Sequence, residues 1–294
     1  MSHLVNPLAS TCQLIQQHSL SSLPQDLRES IFIATQCLTQ AAGLLLRLDQ
    51  SLTAQANVIL ARYWLVQNPM SDEFCDVSAA ALFLVGKLGP DSRPPRDLWI
   101  TYRYLASRAS CLFDVGKLPA EDMAAWSGDD ADYSAFLNSI LTLEARILYA
   151  LSFNTHVALP HPLAITYLQT FDFLGKSKSS VSLRVVQYLN TALLSPQMLY
   201  LTHQPHALAT AAIYLTARDV GAKMPHCQWW EVFDVDREEL GFLVVALRSL
   251  QGWFRRRKEE LVPLSNAMLS RDMIRTEMRK RGLQLDNESA HDAS

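Results

Sequence analysis

The apolar positions of this chain recur at helical spacing almost from one end to the other. From Leu27, the residues Ile31, Ala34, Leu38, Ala41, Ala42 and Leu45 share one face of a helix. Thr53 is placed as the N-cap of a second helix, Ala54 to Val66, which Asn68-Pro69 ends. A third starts at Ser71 and Phe74, runs through Ala79-Ala80-Ala81-Leu82-Phe83-Leu84 to Lys87, and stops at Gly89-Pro90. Pro94-Pro95 opens a fourth, with Leu98, Trp99, Tyr102 and Leu105 inward. Residues 107–130 lack a clean period and carry Gly116, Pro119 and Ser127-Gly128-Asp129-Asp130, so they are expected to form a long loop. A fifth helix follows from about Tyr133 to Leu151. Beyond Leu159-Pro160-His161-Pro162, five more helical stretches are predicted, at 162–173, 179–194, 205–219, 228–233 and 236–257. Residues 264–282 suit one further basic helix, and 283–294 have the composition of a disordered segment.

The two halves repeat one another. Ala80-Ala81-Leu82-Phe83-Leu84-Val85-Gly86-Lys87 aligns with Ala211-Ala212-Ile213-Tyr214-Leu215-Thr216-Ala217-Arg218, an offset of 211 − 80 = 131 residues. Leu137, Ile140, Leu141 and Ile147 of the fifth helix recur as Leu240, Leu243, Val244 and Leu250. The pattern is a duplicated five-helix unit. Its alanine pairs let a central helix be approached closely from several sides, and its larger apolar residues fill the space around that helix.

Composition narrows the function. With 49% hydrophobic and 19% charged residues, the 294-residue chain has material for a substantial core, and only 10 glycines, which suits helices. A net charge of -3 argues against nucleic acid as the main ligand. The five cysteines (12, 37, 75, 111 and 227) are odd in number and form no C-x-x-C, so free thiols are expected, not a zinc site or a disulfide framework. No signal peptide and no membrane span is evident, and a soluble intracellular protein is expected.

Two tandem five-helix units with an alanine-rich third helix are the layout of a cyclin, and specific residues support the likeness. Gln40-x-Ala42-Gly43-x-Leu45-Leu46-x-Leu48, Ala56, Val58 and Arg62-Tyr63 resemble the first two helices of cyclin L. Ala79 to Lys87 is similar to the alanine-rich cyclin helix that ends in Lys. Glu144-x-x-x-Leu148-x-x-Leu151-x-Phe153 is similar to the fifth helix of a first cyclin box. Gln204-Pro205-His206-Ala207 with Ala211 to Arg218 resembles the second box of cyclin L, and Trp229-Trp230-Glu231-x-Phe233 a motif of cyclins K and T. The likeness spans roughly residues 25–258.

It implies an all-α fold of two tandem five-helix cyclin boxes: an N-terminal arm at 1–24, a first box at 25–158, a second at 159–258, and a basic helical tail at 259–294. It further implies a nuclear regulatory subunit without catalytic residues or cofactor, paired as a heterodimer with a cyclin-dependent kinase. Such subunits act in RNA polymerase II transcription, and cyclin L also in splicing. The kinase-binding residues carried over are Lys87, Glu144, Leu88, Leu148 and Phe153. Lys87 and Glu144 are unusual even apart from the family, because each sets a charge on an apolar face, where it needs a partner. The resemblance implies that they lie near each other and hydrogen-bond kinase backbone; the alternative is an internal salt bridge that only joins the two helices. Leu88, Leu148 and Phe153 either face a kinase or are plain core. Leu88-Gly89-Pro90 replaces the acidic pair that follows this Lys in many cyclins, Thr155 stands where an aliphatic contact is common, and no Arg/Ser-rich tail follows. The other class considered is a two-cyclin-fold general transcription factor that binds DNA, but the chain has neither the zinc ribbon nor the basic repeats of that class.

Other clusters have plainer explanations. Asp129, Asp130 and Asp132 are expected to be solvated loop acids, since Mg²⁺-binding aspartate spacing is missing. His203 and His206, with no Cys or carboxylate near them in sequence, are expected on the surface and not on a metal. No phosphate loop, nucleophile elbow or kinase motif occurs. Arg255-Arg256-Arg257-Lys258 suits a helix C-terminus or, with Arg271, Arg275, Arg279, Lys280 and Arg281, an acidic partner or nuclear import.

Overall fold

In a computed structural model, the structure describes residues 4–89, 92–107, 126, 128–173, 179–260 and 268–283. The described residues form helices and no strand: α1 (Thr11–Ser19), α2 (Gln25–Leu45), α3 (Gln50–Val66), α4 (Phe74–Leu88), α5 (Pro95–Ala106), α6 (Asp130–Ala150), α7 (Pro160–Thr170), α8 (Ser179–Leu193), α9 (Leu199–Thr202), α10 (Pro205–Val220), a 3₁₀ turn (Trp229–Phe233), α11 (Arg237–Glu260) and α12 (Arg271–Lys280). The chain divides into two compact units. The first combines 10–155 with 261–294, and the second combines 1–9 with 156–260. Most of the loop expected at 107–130, and nearly all of 283–294, lie outside the described residues.

The first unit is built around α4. Ala79, Ala80 and Ala81 have no exposed surface, and α2, α3, α5 and α6 all pack against this helix. Side chains no larger than a methyl allow that approach from every side. Two buried polar networks fix the neighbours. Gln36 Nε2 donates to the Asn57 carbonyl (3.0 Å) and Asn57 Nδ2 to the Gln36 carbonyl (3.1 Å), joining α2 to α3. Thr39 Oγ1 and Ser78 Oγ are 2.7 Å apart, as are Ser78 Oγ and the Tyr102 hydroxyl, linking α2, α4 and α5. Because Thr39 already donates to the Thr35 carbonyl (2.8 Å), it must accept from Ser78, and Ser78 must accept from Tyr102. The hydroxyls therefore point one way along the chain of bonds.

Three elements differ from the sequence pattern. Thr53 is not an N-cap: α3 starts at Gln50 behind Asp49, and Thr53 lies one turn inside it, 2% exposed. It fills the notch at Gly43 of α2, where an added Cβ would lie 2.7 Å from Thr53 Cγ2. The N-terminal arm also contains a helix, α1, because Ser10 and Gln13 form a reciprocal capping box. Gln17 Nε2 of α1 donates to the Trp64 carbonyl at 3.3 Å. Among the described residues the tail helix is α12, starting at Arg271, which buries Ile274 and Met278. An arginine anchors each end: Arg271 Nε donates to Glu73 (2.7 Å), and Arg281 Nη1 to Asp26 (2.6 Å).

The second unit repeats the plan around α10. This helix starts 205 − 74 = 131 residues after α4, the offset of the sequence repeat. Ala207, Ala209, Ala211, Ala212 and Ala217 are fully buried, and α7, α8 and α11 pack on it. The short helix α9, which the periodicity did not predict, starts after Met198 in a left-handed conformation. Residues from the start of the chain lock into this unit. Asn6 Nδ2 donates to the Ala158 carbonyl (2.8 Å), and Asn6 Oδ1 accepts from Ala158 N (2.7 Å). His161 of α7 meets the Asn190 amide oxygen at 2.9 Å through Nε2, while its Nδ1 is buried without a partner.

Two stability predictions follow from this packing. Gly43→Ala should lower the midpoint of urea unfolding by an amount equivalent to about 1–3 kcal/mol, outweighing the ~1 kcal/mol that Ala gains over Gly inside a helix. A raised midpoint would show that α2 and α3 do not press together there. Burial holds the His161 imidazole below its ordinary value of 6.5. The unfolded chain therefore binds the proton more readily, so the contribution of this side chain is level above pH 6.5 and falls as pH drops toward the folded-state value. Urea midpoints measured across this window should show the fall, and His161→Gln should reduce it, leaving the part that His203, lowered in the same way, contributes.

Candidate partner-docking face

The last turn of α4 and the C-terminal half of α6 build one face of the first unit. Lys87 Nζ lies 2.9 and 2.7 Å from the two carboxylate oxygens of Glu144. Glu144 is 9% exposed, set between Ile140, Leu143 and Ile147, all buried. The Lys87 side chain is 42% exposed, and its ammonium lies 4.1 Å from the Phe83 ring centroid. The acid is thus sunk in the helix packing, and the cation reaches solvent. The two residues singled out in the sequence meet in a bridge, a nearness that both readings of the pair share.

Around this bridge the surface is apolar. Leu88 is 59% and Phe153 62% exposed, and Leu148 is half-buried. Leu88 and Phe153 are therefore not core residues. Leu141, expected on the same stripe as Ile140 and Ile147, is 42% exposed, and Leu143 takes its place in the packing. Sequence reasoning passed over Tyr149, which is 73% exposed with its ring edge-on to Phe153 at 5.5 Å. An aromatic residue one position beyond the Glu144–Leu148 stripe was the available signal. Thr155 is half-buried.

The second unit carries a different charge pattern here. Arg218 and Asp219 occupy the positions of Lys87 and Leu88, and Leu247, 1% exposed, occupies that of Glu144. Asp219 is held by the Tyr188 hydroxyl (2.6 Å), Arg184 (3.3 Å) and Arg248 (3.7 Å). In this copy the acid is shared between helices α8 and α11, with Val220, Leu183 and Val245 exposed beside these residues in sequence.

The remaining clusters resolve individually. The aspartates are not loop acids but start α6. Asp129 caps it by accepting from Ala131 N, and Asp130 and Asp132 lie in its first turn, facing Arg96 (3.5 Å) and Arg103 (3.0 Å). Acids are favoured there by the helix dipole. His203 is half-buried and stacks on Phe242 at 5.3 Å, and burial lowers its proton affinity. Glu239, whose proton affinity burial raises, lies near enough to His206 for the imidazole to offset part of that rise, a neighbour that spacing did not show. Among the described residues no three His, Cys, Asp or Glu side chains group as metal ligands, and no helix is long and apolar enough to cross a membrane. Arg255 and Arg256 are exposed near the end of α11, and Arg257 stacks over Trp253 at 5.3 Å.

Comparison with known proteins agrees with this architecture. No family model matches the chain. An uncharacterized cyclin-L1-like protein of Schizosaccharomyces pombe is 29% identical over 248 residues, covering 84% of this chain and 90% of that protein. Human cyclin-L2 is 27% identical over 252 residues, covering 85% of this chain, which spans only 45% of that relative. Among solved structures, the chain matches one in the yeast RNA polymerase II CTD kinase CTDK-1 complex. The TM-score is 0.65 at 14% identity, covering 83% of this chain and 72% of that one. It also matches a chain of the Chaetomium thermophilum CAK complex bound to ATP-γ-S, with a TM-score of 0.59 at 11% identity, covering 98% and 95%. The protein is thus cyclin-like in fold, and its sequence is similar to cyclin L over most of its length.

The bridge itself should add little to stability. An ion pair with an exposed cation gains modest Coulomb energy and pays desolvation on the buried side. A double-mutant cycle of Glu144→Leu and Lys87→Met, read by urea unfolding, should give a coupling of about 1 kcal/mol or less. A coupling of several kcal/mol would make the pair a structural tie.

Proposed function

We propose that this chain is the activating regulatory subunit of a cyclin-dependent serine/threonine kinase. It does no chemistry of its own, pairs with the kinase as a heterodimer and acts in the nucleus. The observation that carries the proposal is the face just described: Lys87 turned outward by a buried Glu144 and ringed by exposed Leu88 and Phe153 with half-buried Leu148. Apolar side chains around a preorganised charge are the composition of an interface centre, where a few desolvated contacts carry most of the affinity. The Lys87 ammonium has donors to spare for backbone carbonyls of a partner helix. A kinase is active when its αC helix turns inward, so that the Glu it carries pairs with the catalytic Lys of strand β3. A partner that binds this conformation more tightly than the inactive one shifts the population toward activity. The first box, at 25–158, supplies the gripping face. The second, at 159–258, has Arg218 and Leu247 in place of the Lys87–Glu144 bridge and is left as support and as surface for substrates or regulators.

The likeness to cyclin L and the fold shared with a chain of a polymerase-CTD kinase complex support a place in RNA polymerase II transcription. Pre-mRNA splicing is the finer assignment within it. Neither use needs membrane attachment, a small-molecule substrate or direct nucleic-acid binding.

The test is co-purification of the tagged chain beside Glu144→Lys, followed by mass spectrometry and a kinase assay on the eluate. Wild type should retain one cyclin-dependent kinase in active form, and Glu144→Lys, which sets two cations together in the bridge, should lose at least about tenfold of that binding while remaining helical by circular dichroism. Absence of a kinase from the wild-type eluate, or equal recovery with the variant, would overturn the proposal.

A further inference from the structure

The geometry points to Tyr149 as a specificity-determining contact that, with Phe153 and Arg146, forms a second docking patch for the kinase subunit. It would take an aliphatic side chain flanked by oxygen acceptors. The inference rests on the kinase-binding function proposed above and deepens it.

The backbone supplies the first observation. α6 closes through bonds from Ser152 N to the Tyr149 carbonyl (3.0 Å) and from Phe153 N to the Leu148 carbonyl (2.8 Å). Ser152 and Phe153 both have positive φ, at 49° and 59°. They are the one consecutive non-glycine pair with positive φ among the described residues. A left-handed conformation is uncommon outside Gly and Asn, and a bulky aromatic there is an outlier whose cost other features must offset. The strained turn lays the Phe153 ring edge-on to Tyr149, at an interplanar angle of 77°.

Solvent exposure supplies the second. Both rings of this stack are largely bare. An edge-to-face aromatic pair in water offers rigid apolar area with few rotamers left to lose.

Charge supplies the third and sets the chemistry of the occupant. Arg146 Nη1 is 2.5 Å from Asp72 Oδ1. Asp72 Oδ2 is itself held by the Tyr63 hydroxyl (3.0 Å) and Ser71 Oγ (2.9 Å). The Asp72 side chain is 11% exposed and that of Arg146 57%, so the acid again lies inside and the cation outside, as at Glu144 and Lys87. The Arg146 guanidinium, one turn before Tyr149, thus reaches solvent from an ion pair whose acid lies inside. A partner covering the rings would meet this guanidinium with a carboxylate or helix-terminal carbonyls. Tyr149 sits five residues after Glu144, about 140° around the helix at ~100° per residue. It meets a part of the partner that the Lys87-centred face does not, and Phe153 bridges the two.

The experiment uses the full chain and the kinase subunit that it retains, with binding followed by biolayer interferometry. Tyr149→Ser should weaken binding about tenfold, mainly through faster dissociation, and Tyr149→Phe should restore it. Arg146→Gln should slow association and flatten its salt dependence. Val232→Ser, at a residue of the second unit that is 75% exposed, is the control and should match wild type, and all variants should keep wild-type helix content by circular dichroism. If Tyr149→Ser binds like wild type while Glu144→Lys does not, the second patch is refuted and the proposed function stands. If wild type binds no kinase, both fall.

Discussion

Everything in the first unit depends on how closely other helices can approach α4. With alanines at three successive buried positions, the backbones of its neighbours set the spacing, and larger residues elsewhere complete the packing. That spacing determines where the last turn of α4 emerges. Gly89 ends the helix and lies against Leu52, where an added Cβ would stand 2.6 Å from Leu52 Cδ2. The chain therefore leaves the packed region just as Lys87 and Leu88 reach solvent. α6 packs along the same helix and brings Glu144 within reach of Lys87. The site is the edge of the core, shaped by the small side chains further in.

The second unit shows how much of that outcome is local. Its α10 has the same alanine spine in the same register, yet its last turn ends in Arg218-Asp219, and Leu247 replaces the buried acid. A common scaffold thus ends in a Lys–Glu bridge in one copy and an Asp–Arg cluster in the other. The spine sets the helix spacing in both, and two or three residues at its end set the charge pattern there.

What the sequence revealed follows the range of the forces involved. The central helices were legible because an alanine run between aromatics has few other uses, and the repeat at 131 residues doubled the signal. The nearness of Lys87 to Glu144 was legible as a charge problem on two apolar stripes. The start of α3 was not, because Thr53 looks like a cap until its neighbour across the helix pair is known to be Gly43. Asp129 to Asp132 read as a loop, since a helix N-terminus and an acidic loop share a composition and only the Arg96 and Arg103 contacts separate them. Tyr149 escaped notice because periodicity tells which side a residue is on, and says little about whether another element will come to cover it.

The order of segments has a consequence for synthesis. α12 belongs to the unit formed mostly by residues 10–155, yet it follows the whole of the second unit in sequence. A ribosome delivers α2 through α6 long before α12 brings Ile274 and Met278 to be buried and Arg271 and Arg281 to Glu73 and Asp26. Throughout that interval the nascent first unit holds an unfilled apolar seat and two acids without their arginines, so its last packing step waits on the synthesis of the second unit.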